Sequence, residues 1–431
     1  MSIDAFPESI AVVGSGVAGL VAAHYLHRRA RVTLFESAAM VGGHVNTVEV
    51  TEGSRTHAID TGFIVFNERN YVGFSALLDE LGVESQPSEM SFSFTSSATG
   101  LEYRGSSLNT LLAKRSNILR PSFARMMADI PRFNRNAKRL IDDGDLSLSL
   151  RDFLAAGRYS TSFVDDYLIP LGASIWSADP HTFADFPVAS LARFFDRHGL
   201  LSLSGRPQWR TITGGARRYV EAITAPLGAS VRTNCAVRRV ERDTDGVVLH
   251  HDGAPEGERF DRVVLATHAD TALAMLERPS EAERSVLGSF RFQANRATLH
   301  TDATLLPDSA RARASWNYRR VDEHQRVPVL TYYANRLQNI SSDVDYCITL
   351  NADDAIDPSR VLASCDYAHP VFDESALRAQ QRHHEIDGTL RTHYAGAYWG
   401  YGFHEDGVQS ALRVVERVNG SETRRSIAPA Q

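Results

Sequence analysis

The stretch IAVVGSGVAGLVAAHYLHRRARVTLFE, residues 10–36, limits what this chain can fold into more than any other. Residues 10–13 form a short apolar run suited to a buried parallel strand. Gly14, Gly16 and Gly19 follow at GxGxxG spacing, and Val17 and Ala18 open a helix that continues to about Arg28. Gly14 permits the tight turn, Gly16 admits a pyrophosphate to the backbone, and Gly19 lets helix and strand pack closely. The unpaired amides and positive dipole end of the helix then face the phosphates. Residues 31–36 are the expected second strand, ending in Glu36, 22 residues after Gly14. A carboxylate there accepts hydrogen bonds from ribose hydroxyls and repels a 2′-phosphate. Strand, turn, helix, second strand and acid agree on a dinucleotide site.

The segment beyond Glu36 chooses the dinucleotide. Gly42 and Gly43 form a second glycine pair before His44, and Thr61–Gly62 adds another turn ahead of Phe63. A nicotinamide domain needs no second glycine cradle this early, whereas the longer FAD runs along more backbone, so the fit favours FAD. A net charge of -6 disfavours a nucleic-acid role. Only three cysteines occur, with no CxxC pair, so neither a disulfide framework nor an iron–sulfur site is indicated, and a reduced cytoplasm suits them. No signal peptide and no apolar span of membrane length is evident. Adjacent His383 and His384 are ill placed to share a metal, and no HExxH or serine elbow occurs, so no metal is expected.

These motifs resemble the superfamily of flavin-containing amine oxidases, protoporphyrinogen oxidases and phytoene desaturases. The resemblance implies an α/β fold: a Rossmann-like FAD-binding domain of the GR2 type, with an interleaved α+β substrate domain on a mixed sheet. It implies that His44 stands where the superfamily usually has an arginine, and that Val237, with Val240 as the neighbouring register, reaches the adenine. It places Gly396 by the ribityl–pyrophosphate part, with Ala397 in place of the usual Glu, and Gly407 and Val408 beside the isoalloxazine. Asp406 is read as the cap of a helix beginning beyond it. No cysteine lies near this segment, so FAD is expected to be non-covalent.

The FAD-binding pieces are assigned to residues 1–70, 210–285 and 385–420, the substrate domain to 71–209 and 286–384, and a flexible tail to 421–431. The 71–209 block reads as mainly helical. Residues 123–141 carry an apolar stripe and a basic face; such a helix can lie on an anionic membrane, though the commoner outcome is packing on its own domain. Residues 313–320, 330–340 and 345–351 read as antiparallel strands. The expected pocket comprises Phe63, Trp316, Asn317, Tyr332 and Trp399, with His404 as proton acceptor or water holder and Tyr318 and Asn335 as polar positioners. SerTrpAsnTyr, TyrTyrAlaAsnArgLeuGlnAsnIle, AlaHisProValPhe and AlaTyrTrpGlyTyrGlyPheHisGluAspGly resemble a bacterial amine-oxidase-like branch that accompanies cyclopropane-fatty-acid-synthase-like methyltransferases and furan fatty acid formation. That resemblance implies an FAD-dependent oxidoreductase desaturating a fatty-acyl or lipid substrate, with a lipid methyltransferase as partner. The cysteine usage points to a cytoplasmic location, and the helix at 123–141 leaves peripheral contact with the inner membrane face as an option. Amine oxidation, double-bond isomerisation and a non-catalytic flavoprotein partner are the alternatives; the oligomeric state is open.

Overall fold

A computed structural model describes residues 8–105, 108–142, 145–202, 205–320 and 329–420; the tail assigned to 421–431 lies outside them. Ser9–Val13 is the centre of a five-stranded parallel sheet ordered Thr392–Tyr394, Arg262–Leu265, Ser9–Val13, Arg31–Phe35, Val231–Arg232. Successive side chains point to opposite faces. Ile10 and Val12 enter one core with the helices Val17–Leu26, Arg217–Thr224 and His404–Asn419, while Ala11 and Val13 enter another with Phe260, Met275 and Tyr398. Both faces are covered, which is why the central strand is an unbroken apolar run. Val237–Arg242 and Val247–His251 form the expected hairpin, extended by Ala254–Phe260.

The second sheet has seven strands, ordered Val361–Val371, Arg291–His300, Cys347–Leu350, Val329–Tyr333, Trp316–Arg320, Phe92–Ser96, Glu102–Arg104. All its pairings are antiparallel except Trp316–Arg320 with Phe92–Ser96. The expected strand around 330–340 ends at Tyr333 and turns into the short helix Ala334–Leu337. The two longest strands, Arg291–His300 and Val361–Val371, pair with each other along most of their length.

The 71–209 block is less uniformly helical than its pattern suggests, since it supplies Phe92–Ser96 and Glu102–Arg104 to the mixed sheet. Its first helix, Val72–Leu81, buries Phe74, Leu77 and Leu78 in the core shared with Val17–Leu26. The Glu405 carboxylate accepts the Gly73 and Phe74 amides, each at 2.9 Å, and so ties that helix to His404–Asn419. The basic amphipathic segment is the helix Pro121–Lys138. Its Phe123, Met126, Phe133 and Ala137 are buried in the core beneath the mixed sheet, so this stripe faces the protein. Among the described residues no helix is long and apolar enough to cross a membrane.

Candidate active site

A continuous cleft of about 690 Å³ runs between the two sheets, within the range of small-molecule sites. Its walls come from Gly14–Ala18 of the first glycine turn, Glu36, Gly42–His44, Gly62–Val65, Val237, His268, His369, and Gly396 through Tyr398. One glycine face is open: a Cβ built on Gly16 meets no protein atom within 4 Å. The others are closed by close approach. A Cβ on Gly19 would sit 1.8 Å from Gly14 O, and one on Gly43, at φ +59°, would sit 3.1 Å from Gly16 Cα. The second glycine pair is thus folded onto the first, and Gly16 leaves room beside its backbone for a phosphate. Glu36 accepts from the Ser15 amide at 3.1 Å and the Ala38 amide at 2.8 Å, which fixes its carboxylate at the nucleotide end.

Four histidines line the wall from the glycine pair inward: His44, His268, His369 and His404. Burial holds every one of them neutral, His44 at about 3, His369 at about 4, and His268 and His404 below their usual value. His44 stacks on Tyr367 at 4.9 Å and bonds to the Ala368 carbonyl, leaving its buried Nε2 without a partner. An unpaired buried nitrogen beside a glycine cradle is what a ligand hydrogen bond would satisfy. No fixed positive charge stands where the superfamily has arginine.

His369 was not singled out from sequence, yet its protonation is dictated by a backbone-anchored relay. The Arg296 amide donates to Asn351 Oδ1 at 3.0 Å, so Asn351 Nδ2 donates to Asn295 Oδ1 at 2.7 Å. Asn295 Nδ2 must then donate to His369 Nδ1, at 2.8 Å. His369 therefore carries its proton on Nε2 and offers an N–H donor. His404 does reach the cleft. Its ring lies flat on Phe63, 3.4 Å between centroids, and its Nε2 shares a hydrogen bond with Tyr219 Oη at 3.1 Å.

The substrate wall is corrected in detail. Trp316 and Tyr332 are cross-strand partners with rings 5.4 Å apart, and both line the cleft, as does Phe63. Asn317, one residue on, faces the opposite side, where its amide bonds Ser93, Ala314 and Thr331. Tyr318 lies one pleat deeper, stacked on Phe94 in the helical core. Asn335 spends its amide on Val344 O and the Tyr346 amide, both at 2.8 Å, and closes a turn. Trp399 packs edge-on against Phe290 and His383 in the core on the far side of the parallel sheet. None of these four lines the cleft. In place of Trp399, its neighbours Tyr401 and Phe403 do, together with Trp176, Trp209, Met90 and Ile175. Trp176 Nε1 donates to Tyr401 O at 3.0 Å, which holds that aromatic corner. The repeated aromatics of residues 398–403 were the available signal, but spacing alone does not say which of them turns inward.

Three cofactor-side residues also move. The C-terminal helix starts at His404, not beyond Gly407. Asp406 is therefore inside its first turn, accepting the Phe403 amide at 2.9 Å. Gly407 and Val408 face the first helix rather than the cleft: a Cβ on Gly407 would lie 2.6 Å from Val17 Cγ1, and Val408 is buried in that shared core. Thr61 braces the turn from below through Asn46 O and Tyr367 Oη.

The open Gly16 face, the anchored Glu36, the lone His44 nitrogen and a cleft that runs from both to the aromatic wall fit FAD. Residues 17–333 match the family model described as flavin containing amine oxidoreductase. The AofH protein of Mycobacterium tuberculosis, whose assigned name is that of a flavin-containing monoamine oxidase, is 29% identical over 257 residues, 56% of this chain and 53% of the relative. The chain thus spans about half the length of the curated relatives it matches. Among solved structures, cyclohexylamine oxidase from Brevibacterium oxydans superposes with a TM-score of 0.69 at 16% identity, covering 96% of this chain and 100% of that one. A fatty acid isomerase from P. acnes gives 0.67 at 16%, covering 97% and 99%. Those two likenesses show the fold. This chain belongs to the flavin containing amine oxidoreductase family, with FAD as its non-covalently held cofactor.

Proposed function

We propose that this enzyme oxidises a hydrophobic amine, taken up as the free base, at the carbon next to nitrogen. One observation carries this choice. Apart from histidines, the only acidic and basic residues in the lining are Glu36 and Arg238, and both sit at the nucleotide end with Val237. The inner end is built from Trp176, Trp316, Tyr332, Tyr401 and Phe403 with neutral imidazoles beside them. An ammonium ion entering it meets no carboxylate. Cation–π contact returns about 0.5–2 kcal/mol, less than the several kcal/mol lost in desolvating the ion. A neutral amine avoids that cost and buries its hydrocarbon on the aromatic wall. The His369 Nε2–H, fixed by the asparagine relay, is the donor available to orient a nitrogen lone pair. FAD, when bound, supplies the hydride acceptor; the protein positions the C–H bond and excludes water. The family and the names of AofH and of the Brevibacterium enzyme support the amine class.

A second reading is desaturation or double-bond isomerisation of a fatty-acyl chain, with a lipid methyltransferase as partner. Its support is the purely apolar stretch of Met90, Ile175 and Trp176, together with the likeness to the P. acnes isomerase. Anaerobic mixing separates the two. Cyclohexylamine should bleach the yellow flavin, with a rate rising about tenfold per pH unit until the amine's own pKa near about 10. Putrescine, which keeps a second ammonium, should bleach it far more slowly. Bleaching by unsaturated phospholipid or fatty acid, with none by either amine, would overturn the amine reading.

A further inference from the structure

Cys235 stands on the cleft wall at the nucleotide end, next to the acid that addresses the ribose. Asn234 takes a left-handed conformation (φ 49°), and the Cys235 amide then donates to Glu36 O at 2.9 Å. Its Sγ lies 3.2 Å from His251 Nδ1. The state of that imidazole is set by its other contacts. The Gly253 backbone amide, which can only donate, points at the same Nδ1 at 3.1 Å, so Nδ1 carries no proton and its one lone pair is shared between that amide and the thiol. The proton is on Nε2, which faces Glu258 Oε2 at 3.0 Å. Burial pushes the Glu258 carboxyl up, but the Arg232 guanidinium, 2.6 and 3.2 Å away, and His251 more than offset this and keep it ionised. Thiol, acceptor nitrogen and carboxylate are thus in series, the arrangement in which a histidine withdraws a thiol proton and a carboxylate supports the resulting imidazolium. Asp252 adds a further negative charge near the ring. Structural cysteines elsewhere differ: Cys347 is fully buried in the mixed sheet and has no such base.

We propose that Cys235 is a base-activated thiol, open to electrophiles and to hydrogen peroxide only while the nucleotide end of the cleft is empty, and that its modification hinders the return of FAD. With peroxide, His251 takes the thiol proton and the sulfur attacks one peroxide oxygen. The S–O bond forms as the O–O bond breaks, and the departing hydroxide recovers the proton from His251 as water. Sulfur is oxidised to the sulfenic acid and peroxide is reduced. With iodoacetamide an S–C bond forms, iodide leaves, and a side chain enlarged by an acetamide lies where the ribose must approach Glu36.

The test is per-cysteine mass spectrometry of the holoenzyme during iodoacetamide treatment, with free FAD varied. The Cys235 labelling rate should fall in inverse proportion to free FAD, and labelled protein, once desalted, should fail to regain flavin absorbance. His251→Gln should slow labelling of the FAD-free fraction at pH 7 by about tenfold or more and leave a labelling rate that rises steadily with pH, as for a thiol with no neighbouring base. Glu258→Gln, which keeps the side-chain shape but removes its charge, should slow it in the same direction. The Cys235→Ser protein should take up FAD equally before and after peroxide. A Cys235 rate indifferent to His251→Gln and Glu258→Gln would overturn the activation. A rate indifferent to free FAD, in a protein that still binds FAD, would overturn the gating.

Discussion

At the scale of single residues, two glycines of one motif do different work. Gly19 is a packing residue: its added Cβ would collide with Gly14 O at 1.8 Å, so Gly19→Ala must displace the helix and destabilise the whole domain. Gly16 has no protein neighbour to offend. Gly16→Ala should therefore leave the melting temperature of FAD-free protein unchanged while weakening FAD binding by roughly tenfold or more, about 1.4 kcal/mol. The flavin-to-protein absorbance ratio after gel filtration, alongside a melt without FAD, checks both halves. A matched loss of stability in the Gly16 variant would mean that the backbone there serves the fold. Such cradle positions were legible because a phosphate loop is a local object: spacing, turn and helix start lie within one stretch of sequence. Tyr318, Asn317, Asn335 and Trp399 were not placed correctly, because whether a side chain faces the cleft depends on strand register and pleat. Trp316 and Asn317 are adjacent in sequence and lie on opposite faces. His369 escaped notice for a related reason, since its relay joins residues 295 and 369 of two strands and residue 351 at the end of a third, which meet only in the folded sheet.

At the scale of elements, the pieces of the FAD-binding layer are locked by a buried ion pair. Arg242, at the end of its hairpin strand, pairs with Glu283 of the helix Glu281–Leu287, and both side chains are almost wholly buried. Tyr394 of the edge strand donates to the same carboxylate, and the Ser280 amide completes its shell at 2.7 Å. Burial alone would raise the Glu283 pKa; Arg242, Tyr394 and Ser280 reverse this and bring it down to about 2. A folded value below the unfolded one means stability present above about 4.5 and lost as the pH falls toward about 2. Glu283→Gln leaves Arg242 buried without its counter-charge, so urea melts at neutral pH should show a loss of about 3–5 kcal/mol. The variant's remaining stability should also vary less with pH below about 4.5 than that of the parent. Undiminished acid dependence would place the titrating group elsewhere. None of this lock was legible from sequence, although the hairpin turn at 243–246 and the strands on either side of it were. The helix at the C-terminus was seen by its apolar stripe, but its start was set too late. The polar side chains between His404 and Gly407 hide a first turn that is held by Glu405 contacts to the helix Val72–Leu81 and by Asp406 capping the Phe403 amide.

At the scale of the whole molecule, the cleft is the seam that the distant segments share. The first glycine turn, the Ala266–His268 loop and Gly396 line it from the parallel sheet, Val237 from the hairpin beside it, and Trp316, Tyr332 and His369 from the mixed one. A ligand filling it touches both layers at once, so FAD should act as a staple as well as a cofactor. Binding to the folded state alone adds about 2.7 kcal/mol at a hundredfold excess over Kd and about 4.1 at a thousandfold. With an unfolding entropy of about 2.1 cal/mol/K per residue, a chain of 431 residues gains roughly 1.5 °C for each tenfold rise in free FAD. Calorimetry across three decades of FAD should thus show the melt climbing by about 4–5 °C. Because the cleft walls belong to both sheets, unfolding followed by flavin fluorescence should coincide with unfolding followed by the tryptophans of the substrate wall. Were the tryptophan transition to stay fixed while the flavin transition climbed, the substrate wall would be melting independently of the cofactor layer, and the two sheets would not share one ligand.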